Sequence, residues 1–203
     1  MNINGYYFIT DSDLSIAGNL HDVRCAVECD VKIVQYRSKK STGSELYKEA
    51  LKLKSICKNK TYFLINDSLD IAQAVDADGV HLGQDDIPLK TARKILGKDK
   101  IIGITVYNEE DAKTAIEESA DYIALAPIFK TTTKLDVKAP IGITLIKKIK
   151  SFSKIPLIAI GGITIDNSKS VIEAGADGIC AISAIITKDD VKSEIMKFQD
   201  LFL

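Results

Sequence analysis

The chain has 203 residues, of which 46% are hydrophobic, so it can bury one substantial core. Its formal net charge of −1 at pH 7 does not indicate a nucleic-acid-binding surface. No signal segment and no apolar run long enough to span a bilayer is recognisable, so we expect one cytoplasmic domain, residues 1–203, without a membrane partner.

Short apolar runs alternate with helical patterns along the whole chain. The predicted strands are Tyr6–Thr10, Val31–Tyr36, Tyr62–Ile65, Gly79–Leu82, Ile101–Ile104, Tyr122–Leu125, Pro156–Ile160 and Gly178–Ile182. The predicted helices cover Leu20–Cys29, a segment opening at Thr42, Leu69–Ala74, segments after Pro88 and Asn108, Ile141–Ile149, Asn167–Ala174 and Val191–Phe202. Thr42 and Glu45 have the spacing of a capping box, and Asn108 is a suitable helix cap.

An internal repeat supports this order of elements. The sequences Ala77–Val80, Ala120–Ile123 and Ala176–Ile179 each place an alanine and an aspartate between a helix and an apolar strand. Eight strand–helix units in about 200 residues predict a single (β/α)₈ barrel with its active site at the carboxyl ends of the strands. An open doubly wound sheet is disfavoured because no GxGxxG follows the first strand.

Polar side chains collect where the predicted strands end. In a barrel these ends meet at one rim, so the side chains are expected to lie together. They are Gln35, Arg37 and Lys39; Asn66 and Asp67; Gln84, Asp85 and Asp86; Thr105; Thr131, Thr133 and Lys134; Gly161 and Gly162; and Ser183.

Asp67 and Asp86 follow neighbouring strands, and two carboxylates there suit Mg²⁺ completed by substrate phosphate and water. The alternative for Asp67 is a helix cap after Asn66. Arg37, Lys39 and Lys134 would neutralise the remaining charge of a diphosphate.

Gly161-Gly162 precedes a helix, and glycines there expose backbone N–H groups to an anion. The alternative is a tight turn that requires glycine. The rim therefore predicts two anion sites, one metal-assisted and one built from backbone, suited to two phosphorylated substrates.

Other candidates have ordinary explanations. His81 lies inside a strand and is expected to be a packed histidine, and Ser183 has no histidine near it in sequence to suggest a hydrolase triad. Tyr36 and Phe129 either flank an aromatic ring or fill the mouth of the barrel.

The ordered motifs resemble those of the thiamine phosphate synthase family. They are Tyr7-Phe8-Ile9-Thr10-Asp11, Gln35-Tyr36-Arg37-Ser38-Lys39, Ile65-Asn66-Asp67, residues 78–86 with His-Leu-Gly-Gln-Asp-Asp at their end, Thr131-Thr132-Thr133-Lys134 and residues 159–163 around Gly161-Gly162. The resemblance spans about residues 7–184.

The resemblance implies that 4-amino-5-hydroxymethyl-2-methylpyrimidine diphosphate is joined to 4-methyl-5-(2-hydroxyethyl)thiazole phosphate, by departure of diphosphate and attack of the thiazole nitrogen on the resulting cation. It implies the following roles: Gln35, Arg37, Lys39, Asn66, Thr105 and Lys134 bind the pyrimidine diphosphate, with Arg37, Lys39, Thr105 and Lys134 acting on the leaving group; Asp67 and Asp86 hold Mg²⁺; and Thr131, Thr133, Gly162, Ile182 and Ser183 line the thiazole phosphate site.

Three positions depart from the family pattern. Ala126 stands where the family usually has glycine, Lys130 where it has proline, and Thr105 where it has serine. Two other functions stay open at this point, a thiazole tautomerase-like paralogue and a non-catalytic phospholigand sensor. A homo-oligomer is compatible with the sequence.

Overall fold

The computed structural model describes residues 3–58, 60–131, 133 and 139–203. Its strands are β1 (Gly5–Tyr6), β2 (Phe8–Ile9), β3 (Ile33–Tyr36), β4 (Tyr62–Asn66), β5 (Gly79–Leu82), β6 (Ile101–Val106), β7 (Tyr122–Leu125), β8 (Leu157–Ile160) and β9 (Gly178–Cys180). All neighbouring pairs are parallel, in the order β1-β9-β8-β7-β6-β5-β4-β3-β2.

The first extended segment closes the sheet into a barrel. Its first half, β1, pairs with β9, where Gly5 lies opposite Gly178. Its second half, β2, pairs with β3, where Phe8 lies opposite Val34. Because β1 and β2 are separated by a single residue, they act as one strand, and the nine short strands form an eight-stranded parallel barrel. The predicted fold class is confirmed.

Helices alternate with these strands. They are α1 (Asn19–Glu28), α2 (Gly43–Cys57), α3 (Leu69–Ala74), α4 (Leu89–Leu96), α5 (Glu109–Glu117), α6 (Thr144–Lys150), α7 (Ile165–Glu173), α8 (Ser183–Ile186) and α9 (Val191–Gln199), followed by a 3₁₀ turn at Asp200–Phe202. In the described part of the chain, no helix combines the length and apolar character needed to cross a membrane.

Both predicted helix starts with a side-chain cap are present. The carboxylate of Glu45 accepts the backbone N–H of Thr42 at 2.8 Å, which is the reciprocal bond of a capping box at α2. The side chain of Asn108 accepts the N–H of Asp111 at 2.8 Å and caps α5. These local bonds could be predicted because both partners lie within three residues of each other.

The last strand and the segment after it differ from the prediction. The predicted strand Gly178–Ile182 ends at Cys180, and Ser183 is the first residue of the short helix α8. The apolar run of Ala181 and Ile182 continues past the strand because these residues border the barrel mouth, where side chains are also covered.

Two apolar layers stabilise the barrel. The larger lies between the outer face of the sheet and the helices and includes Phe8, Phe63 and Phe198. The smaller fills the barrel interior and includes Tyr7, Leu64 and Tyr122. Side chains alternate between these two layers along each strand. The residue two positions beyond the last interior residue of a strand therefore lies at the carboxyl rim.

The aspartate of each alanine–aspartate repeat links a helix and a strand to the next strand at the amino end of the barrel, and we call each such group an aspartate clamp. In each copy the aspartate accepts a backbone N–H from the start of the preceding strand, at its first or second residue, and pairs with a cation from the helix before that strand. The N–H donors are Phe63 to Asp78, Ile102 to Asp121 and Leu157 to Asp177, at 2.8, 2.7 and 2.7 Å; the cations are Lys54, Arg93 and Lys150, at 3.1, 2.6 and 2.7 Å.

Candidate active site

A cavity of about 630 Å³ opens at the carboxyl ends of the strands. Its lining includes ten of the residues predicted from the strand ends: Gln35, Arg37, Lys39, Asn66, Asp67, Gln84, Asp85, Asp86, Thr105 and Thr133. It also includes Ile182, which the family resemblance assigned to the thiazole phosphate site. We call its charged part, formed by Asp11, Arg37, Lys39, Asp67 and Asp86, the charged lobe. The structure therefore brings together side chains that are up to 147 positions apart in the chain, from Gln35 to Ile182.

A smaller cavity of about 80 Å³ adjoins the first. Its lining includes the predicted residues Thr131, Thr133, Gly162 and Ser183, and we call this part the hydroxyl lobe. The residues that line both cavities are Thr105, Tyr107, Ala126, Thr133, Ile160 and Ile182. The two lobes are thus neighbouring parts of one mouth. Lys134, which was assigned to the leaving group, lies outside the described residues.

Because side chains alternate between the two faces of strand β3, two of the predicted polar side chains face the cavity. Gln35 shares the interior parity of Ile33, and Arg37 follows two residues later at the rim. The guanidinium Nη1 of Arg37 lies 3.1 Å from the Oδ2 atom of Asp11, and both side chains are largely covered. This ion pair holds Arg37 over the charged lobe.

Asp67 occupies a left-handed backbone conformation, with φ of +64° directly after β4. Such a conformation is uncommon for a residue with a side chain and is more frequent at functional sites. The Oδ2 atom of Asp67 accepts a hydrogen bond from Lys39 Nζ at 2.7 Å. The cap position of α3 is Ser68, so the geometry does not favour the helix-capping alternative for Asp67.

Asp67 and Asp86 interact directly. Burial raises the pKa of the Asp67 carboxyl, but hydrogen bonds from Lys39 and Asp86 outweigh burial and leave that pKa lowered. Burial and the neighbouring Asp67 raise the pKa of Asp86, although the N–H of Gly83 donates to Asp86 Oδ2 at 2.7 Å and opposes the rise. Two carboxyl groups with oppositely shifted pKa values at a cavity wall make this wall a candidate functional site.

This pair has the donor set for a hard divalent cation. Carboxylate oxygens are the ligands that Mg²⁺ prefers, and a cation between the two groups would remove their mutual repulsion. Within the described ranges, no group of three histidine, cysteine or acidic side chains is arranged to hold a metal. A cation here would therefore need oxygens from substrate or water to complete its shell.

Thr105 ends a buried chain of side chains. Its Oγ1 lies 2.9 Å from Nε2 of His81, whose Nδ1 lies 2.8 Å from the hydroxyl of Tyr122. His81 is only 6% exposed, as expected for a packed histidine, but it also forms part of the cavity lining.

The hydroxyl lobe is closed on one side by Gly161 and Gly162, both with positive φ. A Cβ at Gly162 would overlap the backbone of the loop that begins at Phe129, so only glycine fits there. The Oγ1 of Thr133 lies 3.4 Å from Ser183 Oγ, which joins the threonine loop to the start of α8. The tight-turn requirement is therefore met, and both glycines also line the smaller cavity.

The residues of the cavity wall that had no predicted role include Asp11 and Tyr107. Asp11 and Tyr107 line the mouth; each lies two positions beyond a residue, Ile9 or Thr105, that lines the same cavity, and this spacing could have identified them.

The two aromatic residues suggested for the mouth of the barrel, Tyr36 and Phe129, line neither cavity. Tyr36 faces the helices, where its hydroxyl donates to Glu49 at 2.6 Å. Phe129 lies behind the glycine turn.

A closed parallel barrel whose strand ends carry a charged cavity has the architecture of a barrel enzyme with its active site at that rim. The family model described as thiamine monophosphate synthase matches residues 6–185. The chain therefore belongs to the thiamine monophosphate synthase family, as the motifs predicted, and it is an enzyme of the transferase class.

Individual relatives agree with this assignment. The chain is 50% identical to a thiamine-phosphate synthase of Methanosarcina barkeri, over 97% of this chain and 89% of the relative. It is 52% identical to the corresponding protein of Methanosarcina mazei, over 97% and 82% of the two chains. The solved structure of a thiamine phosphate pyrophosphorylase from Pyrococcus furiosus superposes with a TM-score of 0.90 at 35% identity, covering 99% of this chain and 96% of that one.

These relatives do not favour the two other functions left open by the sequence. All of them carry the name of the synthase or of the pyrophosphorylase.

Proposed function

We propose that this chain forms thiamine phosphate from 4-amino-5-hydroxymethyl-2-methylpyrimidine diphosphate and 4-methyl-5-(2-hydroxyethyl)thiazole phosphate, with release of diphosphate. The observation that carries the proposal is the shared wall between the charged lobe and the hydroxyl lobe. Two adjoining anion sites of different chemistry suit two phosphorylated substrates whose reacting atoms must meet. Family membership supports the same reaction.

In the charged lobe, Arg37 and Lys39 bind the diphosphate. Arg37 can offer two parallel N–H donors, and Lys39 supplies a compact positive charge. Both are paired with aspartates, to Asp11 at 3.1 Å and to Asp67 at 2.7 Å, which positions them before substrate arrives. Gln35 and Asn66 bind the pyrimidine at the floor of the same cavity.

Asp67 and Asp86 are the residues that would hold Mg²⁺. When bound there, Mg²⁺ would offset negative charge on the departing diphosphate. The cation also explains the placement of two interacting carboxyl groups in a cavity meant for an anionic substrate, since without it they would repel that substrate. Lys134 is included in the diphosphate site on the family resemblance alone.

The chemical step divides into two events. The bond between the pyrimidine methylene carbon and the diphosphate oxygen breaks, and the electron pair leaves with the oxygen. The thiazole nitrogen then donates its lone pair to the methylene cation and forms the new C–N bond. The protein has to orient the two rings and stabilise the leaving group, and no protein nucleophile is required.

In the hydroxyl lobe, Thr131, Thr133 and Ser183 donate to the thiazole phosphate. Gly162 lets the phosphate approach backbone N–H groups, and Ile182 packs against the ring. Thr105 and Ile182 line the shared wall, so the methylene carbon and the thiazole nitrogen would meet beside them.

The function is tested by mixing the purified chain with both substrates and measuring thiamine phosphate and diphosphate, with and without Mg²⁺. Stoichiometric formation of both products that depends on Mg²⁺ is expected. Isomerisation of a thiazole carboxylate phosphate without metal would instead indicate a tautomerase, and binding of both ligands without product would indicate a sensor.

A further inference from the structure

Five side chains form a continuous hydrogen-bonded relay through the interior of the barrel. Gln35 Nε2 lies 2.8 Å from the hydroxyl of Tyr7, which lies 2.7 Å from the hydroxyl of Tyr122. From Tyr122 the relay continues over 2.8 Å to Nδ1 of His81 and from Nε2 over 2.9 Å to Thr105 Oγ1. Both of its ends, Gln35 and Thr105, line the large cavity.

The donor at one end sets the direction of every bond. An amide nitrogen can only donate, so the hydroxyl oxygen of Tyr7 accepts from Gln35. Within the relay, Tyr122 is then the one neighbour that can accept the Tyr7 proton, and a buried hydroxyl proton without an acceptor is costly, so this proton goes to Tyr122. Tyr122 then has His81 Nδ1 as the acceptor for its own proton. His81 is therefore protonated at Nε2 and donates to Thr105 Oγ1. The Thr105 hydroxyl, having accepted that bond, keeps its own proton for donation, and Thr105 lines the cavity.

The middle of the relay is buried, so solvent water does not compete for the bond between the two tyrosines. Tyr7 is 2% exposed and Tyr122 is fully buried. Burial also raises the pKa of both phenols, which keeps them protonated at neutral pH and preserves the order of donors and acceptors.

We propose that Tyr7, Tyr122 and His81 are positioning residues that polarise the active site, so that Thr105 presents a proton to the departing diphosphate and Gln35 presents its carbonyl oxygen to the pyrimidine amino group. This inference rests on the proposed function. A diphosphate oxygen only accepts hydrogen bonds, so Thr105 is useful to it only as a donor. The reverse order, with Gln35 accepting from Tyr7, would turn the lone pairs of Thr105 toward the anion.

The lack of a side chain at Gly103 makes room for the bond between Tyr122 and His81. It lies on β6 opposite His81 on one side and Tyr122 on the other. A Cβ at this position would overlap the ring of Tyr122, which crosses Gly103 to reach His81. The two rings lie stacked, with centroids 5.7 Å apart and planes 25° apart. The absence of a side chain at Gly103 is what permits the central bond of the relay.

The direction of the relay is measurable without substrate, because the two orders require different tautomers of His81. ¹⁵N NMR of protein labelled at histidine reports which ring nitrogen carries the proton, and His21→Gln assigns the signals of the two histidines. We expect His81 to carry its proton on Nε2 alone. A proton on Nδ1, or on both nitrogens, would overturn the proposal.

A kinetic test uses Tyr122→Phe, which removes the donor to Nδ1 while keeping the ring. We expect kcat to fall about ten-fold with KM nearly unchanged, because a misdirected donor costs transition-state stabilisation rather than binding. Tyr6→Phe is the matched control: it removes another buried tyrosine hydroxyl, one that lies outside the relay and donates to the Ala181 carbonyl at 2.9 Å.

Equal kcat values for Tyr122→Phe and wild type, or an equal loss of kcat in Tyr6→Phe, would overturn the proposal. Lack of synthase activity in the wild-type chain would contradict the proposed function, and the tautomer measurement would still decide whether the relay has the stated direction.

Discussion

At the scale of single residues, Asp67 combines the most unusual features of the site. Its backbone is left-handed, its carboxylate pairs with Lys39, and its pKa is shifted in the opposite direction from that of Asp86. A left-handed backbone at a residue with a side chain costs folding free energy, and it is kept only where the surrounding contacts hold the residue in that conformation. A capping role, which the sequence offered as the alternative, does not account for Asp67, because the cap position of α3 is Ser68.

Asp67→Ala is expected to lower kcat by at least about 100-fold and to weaken the dependence of rate on Mg²⁺, since it removes half of the carboxylate pair. The measurement is the synthase rate over a Mg²⁺ titration. Asp99→Ala, at an exposed residue near the amino ends of the strands, is the matched control and should behave as wild type. An unchanged rate for Asp67→Ala at limiting Mg²⁺ would contradict the ligand role.

Asp22 is a buried carboxyl outside the site. It is 1% exposed, its Oδ2 accepts from Ser15 at 2.6 Å, and its Oδ1 has no hydrogen-bond partner among the described residues. Burial raises the pKa of Asp22, with the hydrogen bond from Ser15 opposing the rise. The folded state therefore holds a proton more tightly than the unfolded state does.

The sign of the linkage follows from this raised pKa. Stability associated with Asp22 is fully present below the unfolded-state pKa and is lost as pH rises through the folded-state pKa. Asp22→Asn should therefore raise Tm by a few degrees at pH 7, and the gain should shrink toward pH 4. Thermal unfolding of both proteins across this range checks it; a gain that is constant with pH, or equal in Asp99→Asn, would speak against a titrating cause.

At the scale of elements, the three aspartate clamps tie each preceding helix and strand to the strand that follows. The clamp at Asp121 is representative: its carboxylate accepts the N–H of Ile102 and pairs with Arg93. These bonds lie at the amino ends of the strands, away from the cavity, whereas the catalytic residues of such barrels come from the carboxyl ends. Their role is therefore stability.

Asp121→Ala should destabilise the protein by about 1–2 kcal/mol, because the N–H of Ile102 and the guanidinium of Arg93 lose their shared acceptor. Asp121→Asn keeps an acceptor for the N–H and should cost less. Urea unfolding gives both free energies, and the synthase kcat of each variant should match wild type. A large loss of kcat at unchanged stability would show that the clamp acts on the active site instead.

At the scale of the whole molecule, closure of the barrel joins the two ends of the described chain. The segment from Gly5 to Ile9 bonds to β9 on one side and β3 on the other, and the N–H of Tyr6 donates to Gln199 in α9 at 2.9 Å. Every strand therefore depends on two neighbours. This arrangement leaves no open edge among the described strands.

The single domain predicted for residues 1–203 should unfold in one cooperative step. Far-UV circular dichroism reports the helices, and near-UV circular dichroism reports the packed tyrosines, four of which (Tyr6, Tyr7, Tyr36 and Tyr122) are at most 2% exposed. The two signals should give coincident urea transitions. Separate midpoints would indicate two independently folding parts.

The sequence by itself determined the order of the elements and the residues that collect at the strand ends. Apolar runs such as Tyr122–Leu125 and local caps such as Thr42 with Glu45 depend on neighbours within a few positions, and these signals are visible in one chain. The start of α8 at Ser183 was not visible, because the apolar residues before it are covered by the mouth of the barrel rather than by strand pairing.

Only the tertiary structure decided which of these residues act on one another. The bond between Lys39 and Asp67, the opposed pKa shifts of Asp67 and Asp86, and the relay from Gln35 to Thr105 join residues of different strands. The physical reason is that direction and distance in these contacts come from barrel closure and strand register. A one-residue change of register would turn each side chain to the opposite face without altering any local pattern.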